Sequence, residues 1–157
     1  MSASTSVKRG FYRVLNPAIT ATLRSPLHRI ASRTVALLHF KGRTSGREFV
    51  TPLSYVRDGQ TVWFLSTQST SWWKNFRQDD APVSIEIARQ TLTGTAHLWH
   101  GNTDELRNHA HNYLSALPRD AKVYGIELDQ NKKPVEASLA QVAPTLVMVQ
   151  VELDEAL

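Results

Sequence analysis

Cysteine is absent from all 157 residues. That absence removes disulfides, thiolate nucleophiles, iron–sulfur clusters and cysteine-ligated zinc together. Glycine is sparse, with seven residues, and nowhere forms the Gly-x-Gly-x-x-Gly of a dinucleotide turn. The stretch from Gly42 to Gly46 lacks the length and the lysine of a Walker-type phosphate loop. No Gly-x-Ser-x-Gly elbow supports a serine hydrolase. No apolar run approaches the roughly 20 residues of a membrane-spanning helix; the longest, Val35-Ala-Leu-Leu, soon meets His39 and Lys41. Histidines are badly spaced for a metal. His109 and His111 are two apart on an expected helix, and His97 and His100 fall on opposite faces of an expected strand. The first ten residues have no apolar centre of a secretory signal. They read as a disordered leader (residues 1–10) to an intracellular, cytoplasmic protein.

What is present fits one globular domain over residues 11–157, since a chain of this length can bury roughly 70% of its unfolded surface. Residues 1–50 carry nine Lys/Arg against the single acid Glu48, a net of +8, whereas the remainder carries nine against thirteen, a net of −4. A one-sided positive field attracts phosphates, carboxylates, anionic lipid or nucleic acid. Nucleic acid is not expected as a partner, because the basic residues precede the strands and do not interleave with aromatics on them.

Phe11, Val14, Leu15, Ile19 and Leu23 recur at spacings of three and four among basic residues, which predicts an amphipathic helix over 11–32, broken at Pro26 and resumed after Ser25 as a cap. Such a helix either packs on its own domain, the commoner outcome, or makes peripheral contact with a membrane surface. Strands are expected at Val35–Phe40, Phe49–Arg57, Val62–Leu65, Val83–Ile87, Leu92–Trp99 and Thr145–Leu153. Asp58-Gly59 is a strong hairpin signal, Pro52 suggests an edge strand or bulge, and Gly94 a bulge. Helices are expected at residues 69–78 led by Ser71, from Thr103 to about Leu117, and from Pro134. Residues 119–133 are weakly patterned. Short connections between the central strands argue for an antiparallel barrel, nearly closed, with peripheral helices.

Residues 42–53 carry the chemical information. Two glycines permit a tight turn whose amides can converge on an anion, and Arg43, Arg47 and the Ser45 hydroxyl add donors. Around Pro52, ladder groups are left available to a planar ligand. Trp72 and Asn75, three apart on a helix, supply an aromatic wall and an amide. The same residues also make an ordinary hairpin turn and a helix docked by its tryptophan. The residues alone leave the two readings open.

The ordered set Gly42-Arg43-x-Ser45-Gly46-x-x-x-x-Thr51-Pro52-Leu53, Asp58-Gly59 and Trp72-x-x-Asn75 resembles the deazaflavin-dependent nitroreductase family. Leu23-Arg-Ser-Pro-Leu-His28 is similar to the leader of one of its branches. The resemblance covers roughly residues 23–96. It implies a mainly β, α+β split β-barrel related to FMN-binding pyridoxamine-phosphate (PNP) oxidases, with an N-terminal helix and peripheral helices. It also implies binding of the 8-hydroxy-5-deazaflavin coenzyme F-420, and hydride transfer from its reduced form to a small-molecule substrate such as a quinone or nitro compound. By resemblance, Arg43, Thr44, Ser45, Gly46 and Arg47 meet the anionic tail; the backbone at Thr51, Pro52 and Leu53 meets the ring; and Ser66, Thr67, Trp72 and Asn75 complete the groove. A homodimer is implied in the same way. The chain departs from the family where Thr44 replaces Lys, Phe49 replaces Arg, Gln68 stands near a frequent Lys, and Ser54 replaces a Tyr. Three of these changes remove cations. The alternatives that they keep open are an FMN enzyme and a non-catalytic split barrel for an apolar ligand or membrane surface. Tyr55 and Tyr124 are the proton-donor candidates.

Overall fold

Seven strands form one antiparallel sheet in a computed structural model that describes residues 34–155. The leader, the basic helix of residues 11–32 and its suggested membrane contact lie outside the described residues. The strands are β1 (Val35–Lys41), β2 (Glu48–Ser54), β3 (Val56–Asp58), β4 (Thr61–Thr67), β5 (Ala81–Ile87), β6 (Gln90–Trp99) and β7 (Leu146–Leu153). Their order across the sheet is β2-β1-β5-β6-β7-β4-β3. Three hairpins, β1–β2, β3–β4 and β5–β6, account for half of the neighbouring pairs; β1 also pairs with β5, and β7 enters between β6 and β4. The sheet curls until β2 comes alongside β4 without pairing to it. This is the split barrel that the sequence resemblance implied.

The curl follows from the side-chain pattern, because the inner face is apolar on β1, β4, β5, β6 and β7 while the outer face is apolar chiefly along β4 and β7, and each apolar surface must be covered. Ala36, Leu38 and Phe40 of β1, Val62 and Phe64 of β4, Val83, Ile85 and Ile87 of β5, and Val147, Val149 and Val151 of β7 fill the inside. Trp72, Trp73 and Phe76 plug that inner core. On the outside, Leu65, Leu146 and Met148 meet helix α1 (Asp104–Ala116) through Leu106, Ala110, Tyr113 and Leu114, which share one helical face. Thr103 caps α1 by accepting the Leu106 N–H at 3.2 Å, and Asp104 and Glu105 complement its N-terminus. A second helix, α2 (Glu136–Val142), adds Leu139 to the same outer core. Buried Tyr113 donates to Asp120 at 3.2 Å, and burial followed by that carboxylate pushes its hydroxyl far above the ordinary phenol range.

Four expectations need correction. The helix over 69–78 shrinks to a 3-10 turn, Trp72–Phe76, and the Ser71 side chain makes no capping bond; three buried aromatics within five residues pin the backbone where a longer α-helix would turn some of them outward. The expected strand Phe49–Arg57 breaks at Tyr55 into β2 and β3, as the chain passes from one edge of the sheet to the other. Gly94 makes no bulge, since its register is continuous with both β5 and β7. A side chain there would place Cβ 2.4 Å from the Glu152 carbonyl oxygen, so glycine is required by close approach. The helix expected from Pro134 begins at Glu136, Pro134 instead bridging Leu128, and the weakly patterned stretch contains a 3-10 helix, Pro118–Tyr124. Among the described residues no helix is long and apolar enough to cross a membrane.

Gly94→Ala is expected to destabilise the fold by about 2 kcal/mol through overpacking against the β7 backbone, read as a lower urea midpoint at unchanged slope. His109 gives a second test. Its ring lies 4.4 Å from that of Trp63 and 4.8 Å from that of Trp99. Burial lowers its pKa, an effect partly opposed by Glu105. The neutral ring is therefore favoured by folding. That contribution is complete above the ordinary imidazole pKa and is lost as pH falls through the folded value. Thermal stability should decline between about pH 7 and pH 5, and His109→Gln should flatten that decline.

Candidate functional site

The Gly42–Arg47 loop joins the two strands at the edge of the sheet, where β1 and β2 run antiparallel up to Lys41 and Glu48. Its backbone is largely self-satisfied. Gly42 N–H donates to the Arg47 carbonyl at 2.8 Å, Gly46 N–H to the Gly42 carbonyl at 2.8 Å, and Arg47 N–H to Ser45 Oγ at 3.2 Å. Gly46 adopts φ +67°, which explains one of the two glycines. Gly42 is needed for space: a Cβ there would lie 2.7 Å from the Phe49 ring.

The loop is fastened to the 3-10 turn by one side chain. Asn75 Oδ1 accepts the Arg43 N–H at 3.0 Å while Asn75 Nδ2 donates to the Trp72 carbonyl at 2.9 Å. The structure thus brings the arginine loop and the Trp-x-x-Asn motif together. It also narrows what the loop can offer an anion. With four of its six amides engaged, the Thr44 and Ser45 N–H groups remain, together with the Ser45 hydroxyl hydrogen. Arg43 and Arg47 are exposed, and among the described residues neither guanidinium has a carboxylate partner. Charge at this loop therefore comes mainly from side chains.

Alternation along β2 sets the next part. Phe49, Thr51 and Leu53 oppose Phe40, Leu38 and Ala36 of β1 and so face inward, whereas Pro52 opposes Leu37 and faces outward. Since β2 has a strand neighbour on one side only, the proline is tolerated. Thr51 is 6% exposed, and its hydroxyl has no hydrogen-bond partner among the described residues. An orphaned buried hydroxyl is costly and marks a place where a ligand can supply the missing partner.

Ser66 is inward-facing on β4, with Oγ 2.7 Å from Thr70 Oγ1. Because Thr70 Oγ1 donates to the Thr67 carbonyl at 3.0 Å, the Ser66 hydroxyl is the donor in that contact, and acceptor capacity is what it has left. The Thr67 carbonyl also accepts Trp73 Nε1 at 3.1 Å, and Thr67 Oγ1 pairs with Ser69 Oγ at 2.6 Å. Gln68, where the family frequently has a cation nearby, is turned to the Pro144 and Thr145 carbonyls.

Two aromatic roles are reassigned. Trp72 is 9% exposed and packs edge-on to Phe64 and Phe76 inside the core, so it braces the site from behind. The accessible ring is Phe49, 45% exposed, stacked on Phe40 with centroids 5.7 Å apart, and Phe40 in turn meets Phe76 edge-on at 5.7 Å. Sequence reasoning had counted Phe49 only as a lost cation. Its inward register with Thr51 was the signal that could have found it.

Of the two tyrosines, Tyr124 donates to the Leu65 carbonyl at 2.9 Å and belongs to the outer core. Tyr55 packs against the inner core, and burial raises its pKa despite Arg57, keeping the hydroxyl protonated at neutral pH. A separate hollow of about 390 Å³, lined by His39, Lys41, Glu48, Ser84 and Asp154 among others, contains none of the residues selected from sequence. Cations, amides and a hydroxyl that lack partners among the described residues, beside an accessible ring, are groups of the kind that a flat heterocycle with an anionic tail requires.

The family model described as F420H2-dependent quinone reductase matches residues 13–131. No curated protein matches the sequence significantly. A solved protein of unknown function from Agrobacterium tumefaciens aligns with TM-score 0.53 at 15% identity, covering 85% of this chain and 57% of its own. A domain-swapped dimer aligns with TM-score 0.51 at 21% identity, covering 85% and 98%. An F420-H2-dependent reductase gives TM-score 0.49 at 22% identity over 76% of this chain and 95% of its own. The first two alignments carry the fold.

Thr51→Val tests the orphaned hydroxyl. With no partner to lose among the described residues, the isosteric change should leave stability unchanged or raise it by about 1 kcal/mol; a loss of that size in chemical denaturation would reveal a protein partner.

Proposed function

The chain belongs to the F420H2-dependent quinone reductase family, oxidoreductases that pass a hydride from reduced deazaflavin to quinone-type acceptors, and from that premise we propose how its residues hold the coenzyme. Arg43 and Arg47 take the anionic tail, assisted by the Thr44 and Ser45 N–H groups and the Ser45 hydroxyl. Gly46 keeps the loop in the shape that presents them. Thr51 Oγ1 and the unpaired edge of β2 through Pro52 and Leu53 meet the polar edge of the ring. Ser66 forms the facing wall; Thr67, opposite Leu146 and so turned to the outer face, holds the turn behind it through its carbonyl; and Trp72 and Asn75 support the loop from the core side.

When bound, the reduced coenzyme supplies the hydride, so the protein needs neither a nucleophile nor a metal of its own. The work left to the chain is binding, orientation and exclusion of water. The inner core of Phe40, Phe64, Trp72 and Phe76 gives a dry, rigid floor. Phe49 extends that floor to the surface and covers one side of the loop. The observation that carries this reading is a pair of guanidinia with no carboxylate partner among the described residues, on a loop that Asn75 fastens to the 3-10 turn and that leads directly into β2, the strand with the orphaned Thr51 hydroxyl. As one solved fold relative is a domain-swapped dimer, pairing of two copies is part of the proposal.

Tryptophan fluorescence should be quenched on titration with oxidised F-420, and reduced F-420 should be consumed in the presence of a simple quinone. Arg43→Ala should weaken binding about tenfold, the scale of one charged hydrogen bond, and the loss should shrink at high salt. Equal affinity of the Arg43→Ala and native proteins, or retention of FMN instead, would overturn the assignment.

A further inference from the structure

We propose that Asn75 is a positioning residue for coenzyme capture: it holds the Arg43 backbone in its ligand-ready place and does not touch the ligand itself. The proposal rests on the arginine loop being the anion-binding end of the site.

Both ends of the Asn75 amide are committed inside the protein. Its Oδ1 accepts from Arg43 N–H at 3.0 Å and its Nδ2 donates to the Trp72 carbonyl at 2.9 Å. The opposite orientation of the amide would set donor against donor and acceptor against acceptor, so the partners fix it. One bond reaches the exposed loop. The other returns to Trp72, which is locked among Phe64 and Phe76. Asn75 therefore transmits the rigidity of the core to a surface loop.

Among the described residues the loop has little else to hold it there. Residues 43–47 are all exposed, and the bonds among Gly42, Ser45, Gly46 and Arg47 shape the loop without tying it to its surroundings. Phe49 packs at its base, beside Gly42. The Asn75 bond lands on Arg43, whose guanidinium has no carboxylate partner among the described residues. Fixing that backbone in advance spares a ligand the entropy of ordering the loop. Because the Arg43 N–H can bond to water when Asn75 is truncated, the cost should fall on binding more than on folding.

Three measurements test this on the full-length protein. In the coenzyme-free state, Asn75→Ala should accelerate hydrogen exchange of the Arg43 amide about tenfold while the strand amides remain protected, which also shows that the variant is folded. In turnover, KM for reduced F-420 should rise about tenfold while kcat does not fall. In a double-mutant cycle with Arg43→Ala, adding Asn75→Ala should weaken binding by less than about threefold, because the group being positioned is already gone. Unchanged exchange at Arg43, a fall in kcat at saturating coenzyme, or fully additive losses would overturn the proposal. If the native protein binds no deazaflavin, the loop's assignment fails and this role with it. If the native protein binds and Asn75→Ala binds equally well despite faster exchange, the positioning role alone fails.

Discussion

Strict inside–outside alternation on a curled sheet, with one apolar core inside it and a second under its helices, is the constraint from which the rest follows. Each of β1, β4, β5 and β7 sends one set of side chains to the inner core and the other to the opposite face. A slip of one residue would exchange the two sets, so register is strongly specified. The same alternation decides what β2 shows to the site. Thr51 and Phe49 are inward because Leu38 and Phe40 opposite them are inward, and Pro52 is outward for the same reason.

The proposed binding end is a charged loop fastened to that rigid frame. Three of its six amides serve the loop's own shape, and among the described residues its guanidinia have no carboxylate partner. This division matters energetically: the backbone bonds fix a geometry, while the free charges keep their affinity for an anion. A surface ion pair within the protein would have competed with the ligand for modest gain. Arg43 thus does two things with different atoms, its amide anchoring the loop to Asn75 and its side chain remaining available.

The departures from the family pattern also take on a physical form. Phe49, where the resemblance leads one to expect a cation, continues an aromatic series through Phe40 to Phe76, replacing a charge by apolar cover at the mouth. Gln68 bonds to the Pro144 carbonyl and joins the turn after β4 to the start of β7. Thr44, also in place of a cation, leaves a free N–H on an exposed turn. On the proposed placement, two arginines and a partly desolvated surface would be left for the tail.

Much of the fold could be read from residue order. Alternating Val83, Ile85 and Ile87, the Asp58-Gly59 turn and the Thr103 cap each express a local rule of backbone geometry, and the elements formed where those rules placed them. The separated motifs were also enough to identify the family, since the loop, Pro52 and Asn75 stand in a recognisable sequence. Local rules could not decide three things. The shortening of the Trp72–Phe76 turn, the close approach at Gly94 and the exchange of roles between Trp72 and Phe49 all depend on neighbours distant in the chain. Nor could they reveal that the Asn75 amide is spent on Arg43, 32 positions away, because a side chain's remaining hydrogen-bonding capacity is defined only when its surroundings are assembled.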